Sequence, residues 1–315
     1  MSTTIRQLGL KLARAAGARH FVATSGLGHR YVCHLGDALG ETPFYNRDVF
    51  RVELEVCAAW IRQVASPVVL DVGGNVGFWC TQLAQMATPG DLRIFSFEPV
   101  PPTYERLVFS VQRLGLAGRI TPVAAAVSDS SGSVQLSYSS WNSMFAQITP
   151  SGLNRRVGDS LVQATSLTID DFCAQHGVIP TLLKVDVEGS ELGVLRGARR
   201  VLALPERPVV IFEYNPMTLS ETGGSAGAFA ELLAGYGLYY VDDYDHQKQP
   251  FGDAIGSLES IGWICNILAV PQTTEAGERW RVVRTALGPV VNSAAGNPSI
   301  AGRLARRLLG GRSGG

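Results

Sequence analysis

A chain of 315 residues with 46% hydrophobic and 17% charged residues can bury a large core, which excludes a disordered or fibrous protein. Basic and acidic residues balance at 27 each, so no global charge argues for a nucleic-acid partner. No apolar run approaches the roughly 20 residues of a membrane span, and the N-terminus lacks the apolar stretch and cleavage site of a signal peptide.

Charge is unevenly spread along the chain. Before Asp37 the charged residues are Arg6, Lys11, Arg14, Arg19 and Arg30, and after Glu278 all are arginines. Ile5 to Ala16 reads as a basic helix whose Leu8, Leu10 and Leu12 would let it associate with an anionic membrane surface. A solvated face is the simpler reading of the same charges. A strand-like pair near 20–35 and a helix near 48–64 complete a lead-in over residues 1–60. Lysine is confined to Lys11, Lys184 and Lys248, a bias expected of a GC-rich bacterial genome. Cys33, Cys57, Cys80, Cys173 and Cys265 lie scattered among apolar neighbours and read as reduced core thiols, hence a cytoplasmic location.

From Pro67 to Pro271 short apolar runs alternate with helical patterns, the signature of an α/β fold with a mostly parallel sheet. Strands are expected near 68–72, 93–98, 119–126, 181–187, 208–214, 237–242 and 263–270, and helices near 77–87, 101–115, 168–176, 189–203 and 225–235. Ser166 or Thr168 ahead of Asp170 and Asp171 supplies a helix cap and acids for the first turn. The polar stretch between the last two strands is too irregular for a crossover helix, so the final strand should run antiparallel. Residues 130–163 are rich in Ser, Gly and Asn yet carry Tyr138, Trp141, Met144 and Phe145, which suits either a flap over an active site or a hairpin extending the sheet. The Gly, Ala and Arg composition past Ala286 reads as a mobile end to a basic tail over 273–315.

The stretch "VVLDVGGNVGFW", Val68 to Trp79, is a strand that ends in Asp71, passes Gly73, Gly74, Asn75 and Gly77, and enters a helix. Glycines there let the backbone turn tightly and approach a ligand at the carboxyl ends of the strands. A dinucleotide site would want G-x-G-x-x-G with a helix N-terminus open to a pyrophosphate, and an acid at the head of the loop would repel that phosphate. Asp71 suits a ligand with a cationic amine instead. Glu98, in "IFSFEP", ends the second strand and can accept both hydroxyls of a ribose. An acidic loop with a ribose acid points to S-adenosylmethionine. Asn75 is placed to position that cofactor's amino-acid end, and Ser128 and Asp129, after the third strand, lie where its adenine is expected; a plain turn accounts for Asn75 and Asp129 equally well.

These segments, with "IFSFEPVPPTYERL", "AAAVSDSSG", "TSLTIDDF", "LLKVDVEGSELGVLRGA" and "VVIFEYNP", resemble in order and spacing the FkbM family of S-adenosylmethionine-dependent methyltransferases. The resemblance covers about Tyr45 to Pro271 and leaves out the basic ends. It implies a Rossmann-like class I methyltransferase domain over 61–272, a seven-stranded sheet with an antiparallel last strand and helices on both faces. It also implies O-methylation of a hydroxyl on a sugar, in a glycan or glycolipid, or on a polyketide or macrolide. The second glycine of the loop, Gly74, is usually alanine in that family, a small change.

In "LLKVDVEG" the charged residues Lys184, Asp186 and Glu188 alternate and so share one strand face, where a central parallel strand should be apolar. Unpaired buried charge is costly, so they must pair or line a cleft. Lys184 suits a structural role, neutralising carboxylates such as Glu98 or Glu213; Asp186 and Glu188 suit chemistry. Methyl transfer to an alcohol needs a group to take the hydroxyl proton. Asp186 is the first choice, with Glu188, Glu191 and Glu213 as alternatives. Asp186 with Glu213 or Asn215 would also suit magnesium, the less favoured reading. His176 reads as a structural helix end, Trp79 as core, and His246 as a loop residue within reach of substrate. Competing readings are methylation of an amine or carboxylate, a nicotinamide-dependent oxidoreductase, and a sensor that binds S-adenosylmethionine without turnover. The oxidoreductase would lack the acid-headed loop, and a sensor would need no polar cluster beside the methyl group.

Overall fold

The computed structural model of the chain describes residues 3–87, 90–139, 142–148, 160–243 and 251–294. Helix α1 (Thr3–Ala15) leads into a hairpin of β1 (His20–Thr24) and β2 (Arg30–His34), followed by helices α2 (Ala38–Tyr45) and α3 (Arg51–Ile61). Strands and helices then alternate through β3 (Val68–Val72), α4 (Phe78–Met86), β4 (Arg93–Phe97), α5 (Pro101–Arg113) and β5 (Ile120–Val123). A second, four-stranded sheet intervenes, built from β6 (Ala126–Val127), β7 (Gly132–Ser139), β8 (Asn142–Ile148) and β9 (Ser160–Leu167) in the order β6-β9-β7-β8. The alternation resumes with α6 (Ile169–His176), β10 (Leu182–Val185), α7 (Glu191–Arg196), α8 (Arg199–Leu202), β11 (Val209–Tyr214), α9 (Pro216–Glu221), α10 (Ala226–Leu232), β12 (Tyr236–Asp243) and β13 (Cys265–Pro271), and α11 (Thr274–Ala294) follows.

The main sheet has the order β12-β13-β11-β10-β3-β4-β5, with β13 antiparallel to both its neighbours and the other pairings parallel. Both faces are covered, as a parallel sheet requires, so every residue of β3 and β11 is buried. Alternate side chains divide between two cores. Val69, Leu182 and Ile211 join Leu54, Trp60 and Leu83 on one face, while Leu70, Leu183 and Phe212 join Phe172 and Leu195 on the other. Thr168 caps α6 by accepting from the Asp171 amide at 3.0 Å.

Three features bear on segments outside the main alternation. Among the described residues of 130–163, β7 and β9 pair with each other in the separate sheet and not with the main one, and Trp141 lies outside the described residues. Past Ala286, where the sequence suggests a mobile tail, α11 continues to Ala294. Ala276, Trp280 and Val283 recur on one face of α11 and are buried, Trp280 meeting the rings of Tyr239 and Phe251 at 5.0 and 5.8 Å. Finally, α1 turns two of its three cations onto α2: Arg6 donates to the Phe44 carbonyl at 2.9 Å and Arg14 pairs with Glu41. Leu10 is buried beneath the helix, while Leu8 and Leu12 are exposed. All five cysteines are free and buried. Among the described residues no helix is long and apolar enough to cross a membrane.

Candidate active site

A cleft with about 1050 Å³ of empty space, its open mouth included, lies at the carboxyl ends of β3, β4 and β10. Its lining begins at the glycine loop, Gly73 to Val76, and continues through Glu98 and Pro99 to Ala125, Ala126 and Val127. Lys184, Asp186, Val187 and Glu188 line it from β10 and the turn that follows. Leu39 and Phe50 arrive from the N-terminal segment, and Leu136 from the second sheet.

The charges at its floor follow from strand register. Ser96, Asp71 and Lys184 stand opposite one another across β4, β3 and β10. Ser96 Oγ donates to Asp71 Oδ2 at 2.6 Å, and Lys184 Nζ lies 3.3 Å from Asp71 Oδ1 and 3.5 Å from Asp186 Oδ2. Lys184 also donates to the Gly73 carbonyl at 3.0 Å. Burial by itself would lower the lysine's pKa, but the carboxylates of Asp186, Asp71 and Glu53 outweigh it and hold the pKa above its ordinary value. Lys184 therefore stays cationic. Asp71 is fully buried behind the cleft lining, and its carboxylate faces this lysine.

The glycines also answer first to the chain itself. A Cβ on Gly73, at φ +85°, would lie 1.9 Å from the Asp186 carbonyl oxygen. On Gly74 it would lie 2.1 Å from Ser96 Oγ, which makes the usual alanine a larger change here than the sequence suggests. On Gly77 it would meet Leu107 at 2.7 Å, the contact between α4 and α5. Loop and strands thus fit only without side chains. Asn75 sits at φ +49° with its Oδ1 accepting from the Val76 amide at 2.8 Å. Its own amide donates to Glu98 Oε2 at 3.1 Å, while the Val100 amide donates to Oε1 at 2.9 Å. Glu98 is consequently fixed in aim at the cleft, and burial pushes its pKa up to about 7 against the pull of those two amides.

Several expected site residues lie elsewhere. Strand β10 stops at Val185, so Asp186 and Glu188 belong to the turn beyond it, where Glu188 adopts φ +54°. Ser128 and Asp129 do not line the cleft; Asp129 is exposed and accepts from Ser128 and Ser130 hydroxyls at 3.4 and 3.2 Å, and the three residues ahead of them form the wall instead. Glu213 is buried opposite Asn266, off the cleft. Asn215 caps α9, accepting from the Met217 and Thr218 amides at 3.1 and 3.4 Å. Glu191 turns back onto its own loop, its Oε1 accepting from the amides of Val187 and Gly189 at 3.0 and 3.1 Å. Among the described residues no group of three His, Cys, Asp or Glu side chains could hold a metal ion. Trp79 is buried and lines the cleft, 5.8 Å from Lys184 Nζ, and His176 stacks on Phe172 at the end of α6. His246 lies outside the described residues.

One buried acid went unread in the sequence. Glu53, on α3, accepts from Asn266 Nδ2 at 3.4 Å and interacts electrostatically with Lys184, Asp186 and Asp71. Burial pushes its pKa up to about 8, opposed by the charge of Lys184. The signal was present: Glu53 recurs with Val56, Cys57 and Trp60 on the buried stripe of a helix, where an acid is out of place.

Residues 71–238, more than half of the chain, match the methyltransferase FkbM domain. The chain belongs to that family. The matched span holds the glycine loop, Glu98, Lys184, Asp186 and Glu188, whereas Leu39, Phe50 and Glu53 precede it. A curated relative, the hexuronic acid methyltransferase AglP of Haloferax volcanii, is 29% identical over 158 residues, which cover 50% of this chain and 57% of the relative. This chain therefore spans little more than half the length of that protein. Among solved structures, the FkbM methyltransferase of Methylobacillus flagellatus is 18% identical with a TM-score of 0.42, the match covering 65% of this chain and 44% of the other. An S-adenosylmethionine-dependent methyltransferase from Agrobacterium tumefaciens is 8% identical with a TM-score of 0.43, covering 80% and 69%.

Proposed function

We propose that this FkbM-family protein methylates a hydroxyl of a sugar, in a glycan or glycolipid, using S-adenosylmethionine and with Asp186 taking the hydroxyl proton. The observation that carries the reading is the Asp186 carboxylate. It lines the cleft with 28% of its side-chain surface exposed, 3.5 Å from the ammonium of Lys184.

The residues of the cleft fit the cofactor. Glu98, both of whose oxygens are already set by backbone amides, would hold the ribose hydroxyls. Pro99, Ala125, Ala126 and Val127 offer an apolar wall for adenine, and the Gly73–Asn75 backbone would hold the amino-acid end. When bound, S-adenosylmethionine supplies an electrophilic methyl group on a sulfonium. Lys184 holds the Asp186 carboxylate in place, and that carboxylate accepts the proton the acceptor oxygen gives up as its new bond forms. Alignment of acceptor and cofactor, with water kept out by the apolar walls, contributes the rest. A sugar as acceptor is supported by the printed activity of the Haloferax relative, a hexuronic acid methyltransferase. The apolar Leu39, Phe50 and Leu136 favour a polyketide-type acceptor as the second reading.

The test is release of S-adenosylhomocysteine from S-adenosylmethionine in the presence of 4-nitrophenyl glycosides of glucose and glucuronic acid. Asp186→Asn should lower kcat by about 10²–10⁴-fold with cofactor binding retained. Turnover with amines but not glycosides, or a full rate in Asp186→Asn, would contradict the proposal.

A further inference from the structure

Among the described residues three that are not glycine adopt a positive φ, Phe50 at 56°, Asn75 at 49° and Glu188 at 54°, and all three line the same cleft. Two of these have a local cause. Asn75 is a residue type that tolerates the left-handed region and its side chain bonds the next amide, and Glu188 sits in the loop that Glu191 closes. Phe50 has neither. A bulky side chain in this conformation is a backbone outlier, and it makes no side-chain hydrogen bond as the cap of α3. Its ring is only half-buried, with the ring of Phe78 6.2 Å away. Strain of this kind persists when the surrounding structure imposes it and the position serves the site.

The place of Phe50 says which part of the site. Residues suited to the cofactor, from the glycine loop to Val127, lie within the matched span 71–238. Phe50 and Leu39 come from the segment before it and reach the same cleft as Asp186. We propose that Phe50 is a specificity-determining residue that contacts the acceptor, its ring receiving a flat face of C–H groups such as one side of a pyranose. This rests on the methyl-transfer reading above. The backbone at Phe50 is then held in the left-handed region to present the ring to the cleft, at the expense of α3's cap.

The experiment compares Phe50→Leu and Phe50→Gly with the unaltered full chain, loaded with S-adenosylhomocysteine for binding and S-adenosylmethionine for turnover. The probes are the two 4-nitrophenyl glycosides and the aromatic fluorescent probe 1-anilinonaphthalene-8-sulfonate. The expected result is that both variants weaken the probe, or raise the glycoside KM, by about tenfold. Calorimetric affinity for S-adenosylhomocysteine should stay within about twofold, and Phe50→Gly should melt no lower than Phe50→Leu because glycine removes the strain. Loss of cofactor affinity would make Phe50 a cofactor contact and overturn the proposal. Unchanged probe binding and KM would do the same, as would a parent protein that takes up neither glycoside nor fluorescent probe. If the glycosides fail but the aromatic probe binds and depends on Phe50, the proposal stands and the sugar reading falls.

Discussion

Lys184 and Asp71 stand in register on the two central strands, β10 and β3, with Nζ 3.3 Å from Oδ1 and both side chains buried. The lysine also serves Asp186, 3.5 Å away, so it is the shared cation of the cleft floor. Lys184→Met strips the counter-charge from Asp71 and Asp186 together, whereas Asp71→Asn leaves Lys184 with Asp186. The expected loss of unfolding free energy for Lys184→Met is about 3–5 kcal/mol, and for Asp71→Asn it is smaller. Urea denaturation decides the order; the reverse order would mean that Lys184 is not the centre of the cluster.

Glu53 gives the fold a pH dependence of definite sign. Its folded pKa is about 8, above the ordinary 4.5, so the native state keeps the proton to higher pH than the unfolded chain. The stability this contributes is fully present below about pH 4.5 and is lost as pH rises through about 8. Glu53→Gln should flatten the fall in melting temperature between pH 5 and pH 8, an interval set by that same shift. Parallel curves for the two proteins would show that Glu53 titrates normally.

Gly74→Ala introduces a methyl group 2.1 Å from Ser96 Oγ, so the hydroxyl must turn away from Asp71. The cost should be about 1–3 kcal/mol by chemical denaturation, with part of it recovered when Ser96→Ala removes the obstructing oxygen. Additive losses in the double variant would locate the strain elsewhere in the loop.

Glu191 holds the turn that carries Asp186 and Glu188 by accepting from two amides, those of Val187 and Gly189. Glu191→Ala leaves both donors without this acceptor, a destabilisation of about 1–3 kcal/mol. Hydrogen exchange at these two amides should be slow in the parent protein and much faster in the variant. Equal exchange would show that the turn holds itself.

The sheet was legible because its strands are apolar runs punctuated by turn residues, and because polar residues inside such runs, Asp71 and Lys184, advertise themselves. Their partners were not legible. In sequence Asp71 points to a cationic ligand, since only the strand order places Lys184 beside it. The same non-local register explains why Gly74 seemed free to be alanine: Ser96 is distant in sequence and adjacent in the sheet. Alternation was carried too far at Glu188, because β10 ends at Val185 and a glycine-containing turn takes over. At the C-terminus the Gly, Ala and Arg composition past Ala286 hides the end of α11, a helix anchored upstream by the buried Ala276, Trp280 and Val283. Glu53 was visible as an acid on an apolar helical stripe.

Calorimetric titration with S-adenosylhomocysteine, run beside NADH and repeated on Glu98→Ala, decides whether the cleft is built for S-adenosylmethionine. Saturable binding of S-adenosylhomocysteine alone, lost in the variant, is the expected result, because Glu98 is the acid whose carboxylate in the cleft is fixed by two backbone amides. Binding of NADH in its place, or affinity for S-adenosylhomocysteine that survives Glu98→Ala unchanged, would contradict it.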